Sequence, residues 1–267
     1  MPLTNLIVLA LIQGLTEFLP ISSSGHLIIV PKLISWQDQG LIIDVAVHAG
    51  SLLAVIIYLW RELWSITAAL IDFRNLQQNP DLQLAKLIII GSIPVVMMGL
   101  IISLISDNLT RNIEIIAWAT LAFGILLGIS DKIGLAVSDL RHMTIGDAIL
   151  IGISQALALI PGASRAGLTI TMARFLGYDR KTAARFSLLL AIPAILGAST
   201  LKSAELIETN NLILGIDVLI AATVSFLAAL ASISIMMAWL NRVGFMPFVI
   251  YRIILGIALL IWVYVLS

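Results

Sequence analysis

Stretches of apolar residues long enough to cross a bilayer recur through nearly the whole chain, and no other feature constrains the fold as tightly. A spanning helix needs about 20 such residues. Residues 41–60, 85–105, 113–130, 182–201, 215–239 and 248–265 meet that length. Hydrophobic residues make up 60% of the chain and charged residues 11%, with a mean hydropathy of +1.10, whereas soluble domains carry roughly 25% charged residues. A soluble fold is excluded. No polar block is large enough to fold separately, so the expectation is one all-α, polytopic membrane domain over residues 1–267. The net charge of zero argues against a nucleic-acid partner. The absence of cysteine removes disulfides and thiol catalysis. Residues 1–11 hold no basic residue and no small-residue cleavage site, so they are expected to stay in the fold rather than act as a removable signal peptide.

The remaining apolar pieces, 3–15, 25–33, 145–160 and 166–176, are too short or too interrupted to cross, and read as half-helices. Each pair flanks a helix-breaking turn: Pro20 with Ser22, Ser23, Ser24 and Gly25, then Pro161 with Gly162, Ala163, Ser164 and Arg165. This is the pattern of a re-entrant helical hairpin. The two turns match without gaps when Pro20 is set on Pro161, which predicts an internal repeat, the first copy at about 1–130 and the second at about 145–267. Three spans per copy would invert the second relative to the first, placing a site near the membrane midplane between broken helices. Basic residues in short loops test the orientation. Arg61, Arg74, Lys86, Lys132, Arg141, Arg174, Arg180, Lys181, Arg185, Arg242 and Arg252 would share one side, and Lys32, Arg111 and Lys202 the other. The larger group marks the cytoplasm, so the first hairpin is expected to enter from outside and the second from the cytoplasm.

Ionisable groups at membrane depth cost about 2.5 to 3.5 kcal/mol each on insertion scales, so they need partners or a wet cavity. Gln13 and Glu17 are four residues apart, on one helix face, a turn before the break. A carboxylate there can bind a divalent cation, act as a base, or form a structural ion pair. Ser22, Ser23 and Ser24 open the next half-helix, where free N–H groups and the helix dipole favour phosphate; the same serines could simply cap the helix. His26 is a candidate acid, base or nucleophile, or a hydrogen-bonded structural residue. Ser164 and Arg165 begin the other half-helix, with Thr169 about one turn on. The planar arginine fork suits phosphate oxygens, and equally suits Glu17. Asp44, His48, Ser154 and Gln155 could line the cavity, and Trp60 and Trp64 fit an interfacial belt.

At these residues the chain resembles the undecaprenyl-diphosphate phosphatases, the bacitracin-resistance proteins. The run from Gln13 through Thr16-Glu17-Phe18-Leu19-Pro20-Ile21-Ser22-Ser23-Ser24-Gly25-His26 matches that family's first motif. Pro161-Gly162-Ala163-Ser164-Arg165-Ala166-Gly167-Leu168-Thr169 matches its second. Gln13 stands where many members carry a glutamate, leaving Glu17 as the one motif carboxylate, and Ala166 replaces a serine. The resemblance implies hydrolysis of undecaprenyl diphosphate to undecaprenyl phosphate and inorganic phosphate. That reaction recycles the lipid carrier for peptidoglycan and other cell-wall polymers and confers bacitracin resistance. It further implies a Mg2+ or Ca2+ cofactor held at Glu17, and catalysis by Glu17, His26, Ser23 and Arg165. Substrate contacts would come from Ser22, Ser24, Ser164, Arg165, Thr169 and Gln13. The expected setting is the bacterial plasma (inner) membrane, with the site open to the outer, periplasmic side. The expected partners are the C55 isoprenoid diphosphate, membrane lipids and, as a candidate, a second copy in a homodimer.

The strongest rival is a transporter or flippase of an anionic lipid or ion, because broken helices in inverted repeats also build transporters. The acid-phosphatase-like lipid phosphatases also use an SGH turn and an SR pair. They expect a lysine-containing motif before these and a histidine after the SR pair, and neither is present.

Overall fold

A computed structural model describes residues 2–34, 36, 40–71, 79–105, 112–135, 138–208, 215–240 and 242–266. Among them there are eleven α-helices and no strand. Six helices are long and apolar enough to span: α3 (Gly40–Tyr58), α5 (Pro80–Ile105), α6 (Ile113–Ile133), α9 (Arg180–Glu208), α10 (Ile216–Trp239) and α11 (Met246–Ile261, prolonged by a π turn). The four short pieces are helical as expected: α1 (Leu3–Thr16), α2 (Ser23–Leu33), α7 (Ile145–Ala156) and α8 (Arg165–Phe175). The protein is an all-α, multi-pass membrane protein. One helix lies outside the expectation, α4 (Trp60–Ile71), which carries Trp60 and Trp64 on its exposed side with Arg61 against the Trp60 ring. Large apolar side chains such as Ile89, Met97, Leu227 and Ile235 face outward, which costs nothing where the solvent is lipid.

The half-helices pack on spans of the other half of the chain: α1 along α10, and α7 along α5. Small residues make this approach feasible. A Cβ on Gly14 would meet the Ser225 carbonyl at 2.4 Å, and one on Gly152 would meet the Gly91 carbonyl at 2.2 Å. Hydroxyls on α10 fasten it to two neighbours: Ser232 donates to the Leu15 carbonyl of α1 and Ser225 to the Val47 carbonyl of α3. Span α6 runs along α11, and α3 packs on both α9 and α10.

Arg252 departs from its expected place among the cytoplasmic loop charges. It lies within α11 and is fully buried. Arg174 is buried too, held with Arg180 on Asp131 at the end of α6. Arg74 and Arg111, also counted in the charge asymmetry, lie outside the described residues.

Candidate active site

Both hairpin turns end in a strained serine. Ser22 has φ 74° and Ser164 has φ 70°, the two non-glycine residues with positive φ among those described. Such backbone is costly for a residue with a Cβ, and it persists where surrounding structure holds it. Each serine caps the helix it opens, Ser22 accepting from the Gly25 N–H and Ser164 from that of Gly167. Matched by these caps, the turns correspond one residue away from the proline-on-proline match. Gly162, at φ 88°, takes up the extra position in the second turn. In this register Ser23 corresponds to Arg165, and Gln13 to Gln155.

The correspondence is chemical as well. Glu17, at the end of α1, receives Ser23 Oγ on Oε2 at 2.5 Å and Arg165 Nη2 on Oε1 at 3.1 Å. The first residues of both second half-helices thus converge on one carboxylate. Gln13 Nε2 donates to Oε2 at 2.9 Å. The ion pair is nearly dry, with side-chain exposures of 14% for Arg165 and 7% for Glu17. Arg165 also lies over the buried Phe18 ring, 5.7 Å from its centre.

Beside this pair is a cavity of about 210 Å3. Its polar lining is Glu17, Ser22, Ser23, Ser24, His48, Gln155, Ser164 and Arg165, and the rest is apolar, from α5, α9 and the turn after α7. Three expected site residues do not line it: Gln13, fully buried one turn before Glu17, and Thr169 and His26. Thr169 is buried beneath the turn and donates to Ser187 Oγ at 2.7 Å, bracing α8 on α9. His26 faces α11: Nδ1 meets the Ser22 carbonyl at 2.6 Å, Nε2 meets the Tyr251 hydroxyl at 2.5 Å, and the two rings stack.

Behind the turns sits Arg252. Nη1 donates to the Pro20 carbonyl at 3.2 Å, Nη2 to those of Gly162 and Ala163 at 3.1 and 2.9 Å, and Nε to that of Thr120 at 3.2 Å. One guanidinium therefore ties both breaks to α6 and α11. A single signal in the sequence could have found it, an arginine inside a stretch otherwise fit to span, which requires partners.

The profile described as "Bacitracin resistance protein BacA" matches residues 6–258. The chain belongs to the BacA family. Members of similar sequence include a protein named undecaprenyl-diphosphatase from Jannaschia sp. (strain CCS1), 48% identical over 99% of this chain and 100% of its own length. Another of that name, from Hahella chejuensis, is 47% identical over 98% of both chains. One named undecaprenyl-diphosphatase 1, from Rhodospirillum rubrum, is 44% identical over 99% of this chain and 96% of its own. The BacA match takes in both turns, Glu17, Arg165 and Arg252.

Proposed function

We propose that this chain hydrolyses undecaprenyl diphosphate to undecaprenyl phosphate and inorganic phosphate in the cavity between the two turns, recycling the lipid carrier of cell-wall synthesis. The observation that carries the reading is the Glu17 carboxylate gripped by Ser23 and Arg165, in a chain alike over its whole length to relatives named for this activity. Arg165 Nη1 is buried without a partner, so a fork already holding Glu17 keeps a donor for a phosphate oxygen. The N-termini of α2 and α8 add backbone N–H groups and favourable dipole ends. Ser23 Oγ, hydrogen-bonded to Glu17, is the better placed nucleophile. Attack on the terminal phosphorus passes its proton to Glu17 and breaks the bond to the bridging oxygen, which leaves on undecaprenyl phosphate. Water then cleaves the phosphoserine and releases phosphate. His26 has both ring nitrogens engaged and does not line the cavity, which favours a role in shaping the turn.

A divalent cation, Mg2+ or Ca2+, belongs to this proposal. The donors suit a hard ion: the Glu17 carboxylate and Gln13 Oε1, a buried oxygen without a partner. No group of three His, Asp or Glu gathers among the described residues, so phosphate oxygens and water would complete the coordination, as Mg2+ commonly requires. Once bound, the ion would neutralise diphosphate charge. The cavity's α9 lining, Ala194, Ile195 and Ala198, lies toward the Lys202 end of that helix, which the loop charges put outside. This supports a site open to the periplasmic face and an inverted arrangement of the two halves.

Phosphate release from a C55 or C15 isoprenoid diphosphate by purified protein tests the reading, with and without EDTA and beside Glu17→Ala and Arg165→Ala. Release that needs metal and is lost in both folded variants is expected. Folded wild-type protein that releases none, with metal supplied, would overturn the proposal in favour of lipid or ion transport through the same cavity.

A further inference from the structure

Gln155 is the second residue from the end of α7, fully buried, and lines the cavity that holds Glu17 and Arg165. Neither its Nε2 nor its Oε1 has a hydrogen-bond partner. Buried amides are almost always paired, because a donor or acceptor stranded away from water loses its hydration without replacement. The end of the helix that carries Gln155 is anchored. Ser154 Oγ, next to it, donates to the carbonyls of Ile151 and Leu168 and ties the end of α7 to α8, the helix that carries Arg165.

The other unpaired polar atoms near this site are Gln13 Oε1 and Arg165 Nη1. Gln13 is the counterpart of Gln155 in the cap-to-cap register, and it too is fully buried. The two glutamines differ in what occupies the next turn of helix. Gln13 spends its amide N–H on Glu17, one turn on. One turn after Gln155 stands Leu159, so the corresponding donor has no carboxylate and is left for a ligand. A neutral amide donor and a cationic fork, in a cavity that also presents four serine hydroxyls, suit an anion rich in oxygen acceptors.

We propose that Gln155 is a diphosphate-contacting residue: Nε2 donates to a phosphoryl oxygen of the substrate, and Oε1 accepts a hydrogen bond from water held with it. The proposal rests on the phosphatase reading of the cavity and adds a residue outside both turn motifs. Because an amide can hold the ground state and the reacting state alike, its loss is felt in KM more than in kcat.

Two substitutions of similar volume test it. Gln155→Leu removes both polar groups and leaves nothing unpaired, so the folded protein should keep or raise its Tm. Gln155→Glu replaces the donor by a carboxylate that repels the diphosphate. The probe is farnesyl methylenediphosphonate, which cannot be hydrolysed at its bridge, titrated by calorimetry into detergent-solubilised full-length protein with Mg2+. KM and kcat for farnesyl diphosphate are measured alongside. The expected result is a Kd and KM raised about tenfold in Gln155→Leu and about a hundredfold in Gln155→Glu, with kcat within about threefold for Gln155→Leu. Kd and KM within twofold of wild type in both folded variants would overturn the proposal and leave Gln155 as a buried amide served by water. Wild-type protein that binds the analogue but releases no phosphate would instead overturn the phosphatase reading, and a weakened analogue affinity in Gln155→Glu would still support the contact.

Discussion

Ser23 and His26 lie three residues apart on α2, yet their surroundings differ completely. Ser23 donates to Glu17 inside the cavity, whereas His26 turns to Tyr251 on α11. Exchange of Ser23 for alanine should lower kcat by about 10^3-fold or more, since an activated nucleophile rarely has a substitute. His26→Gln should lower it by less than about tenfold, below the range usual for a lost general acid or base. Rapid-quench measurement of phosphate release from farnesyl diphosphate separates the two, and the reverse ordering would make His26 the nucleophile. The sequence allowed both assignments because composition and spacing do not specify which way a side chain turns. Glu17, Arg165 and the serines were legible because a polar residue beside a helix break in an apolar chain has few other reasons to be there. Gln155 was visible only as a polar residue in an apolar half-helix, and its lack of partners is a property of the packed structure.

At the scale of elements, the breaks at both turns were legible from Pro20, Pro161 and the small residues after them. The register between the turns was not, because it depends on the backbone of Ser22, Ser164 and Gly162 rather than on residue identity. The clamp that holds the turns together was equally hidden. Arg252 sits in a stretch that reads as a span, and no pattern along the chain says that its partners are carbonyls more than eighty residues away. Arg252→Met should destabilise the protein by about 3 kcal/mol or more, since several buried carbonyls lose their donor at about 1 to 3 kcal/mol each. Arg252→Lys should recover part of that loss, its compact ammonium reaching one turn and not both. Thermal unfolding in detergent gives the order. A Tm for Arg252→Met equal to wild type would remove the clamp from this account.

The molecule as a whole was the most legible level, because a spanning helix satisfies its own backbone and needs no partner to declare itself. Sidedness comes from α9. Lys181 stands near its start and Lys202 near its end; at about 1.5 Å per residue they lie about 31 Å apart, close to the hydrocarbon thickness of a bilayer. Lys181 shares its end of the bundle with Lys132, Arg174 and Arg180, grouped around Asp131 and Asp179. Lys202 has Asp44 of α3 at 3.8 Å. In the proposed orientation the excess of basic residues would put Lys181 in the cytoplasm and Lys202 outside. Because the chain has no cysteine, Lys181→Cys and Lys202→Cys can each be read singly with a membrane-impermeant maleimide on intact bacterial cells. Labelling of Lys202→Cys in intact cells, and of Lys181→Cys only after permeabilisation, is the expected outcome. It would put the nearer end of the cavity on the periplasmic side. The reverse pattern would turn the site toward the cytoplasm, where the recycled lipid would have to be flipped before cleavage, and labelling of both from one side would mean that α9 does not cross.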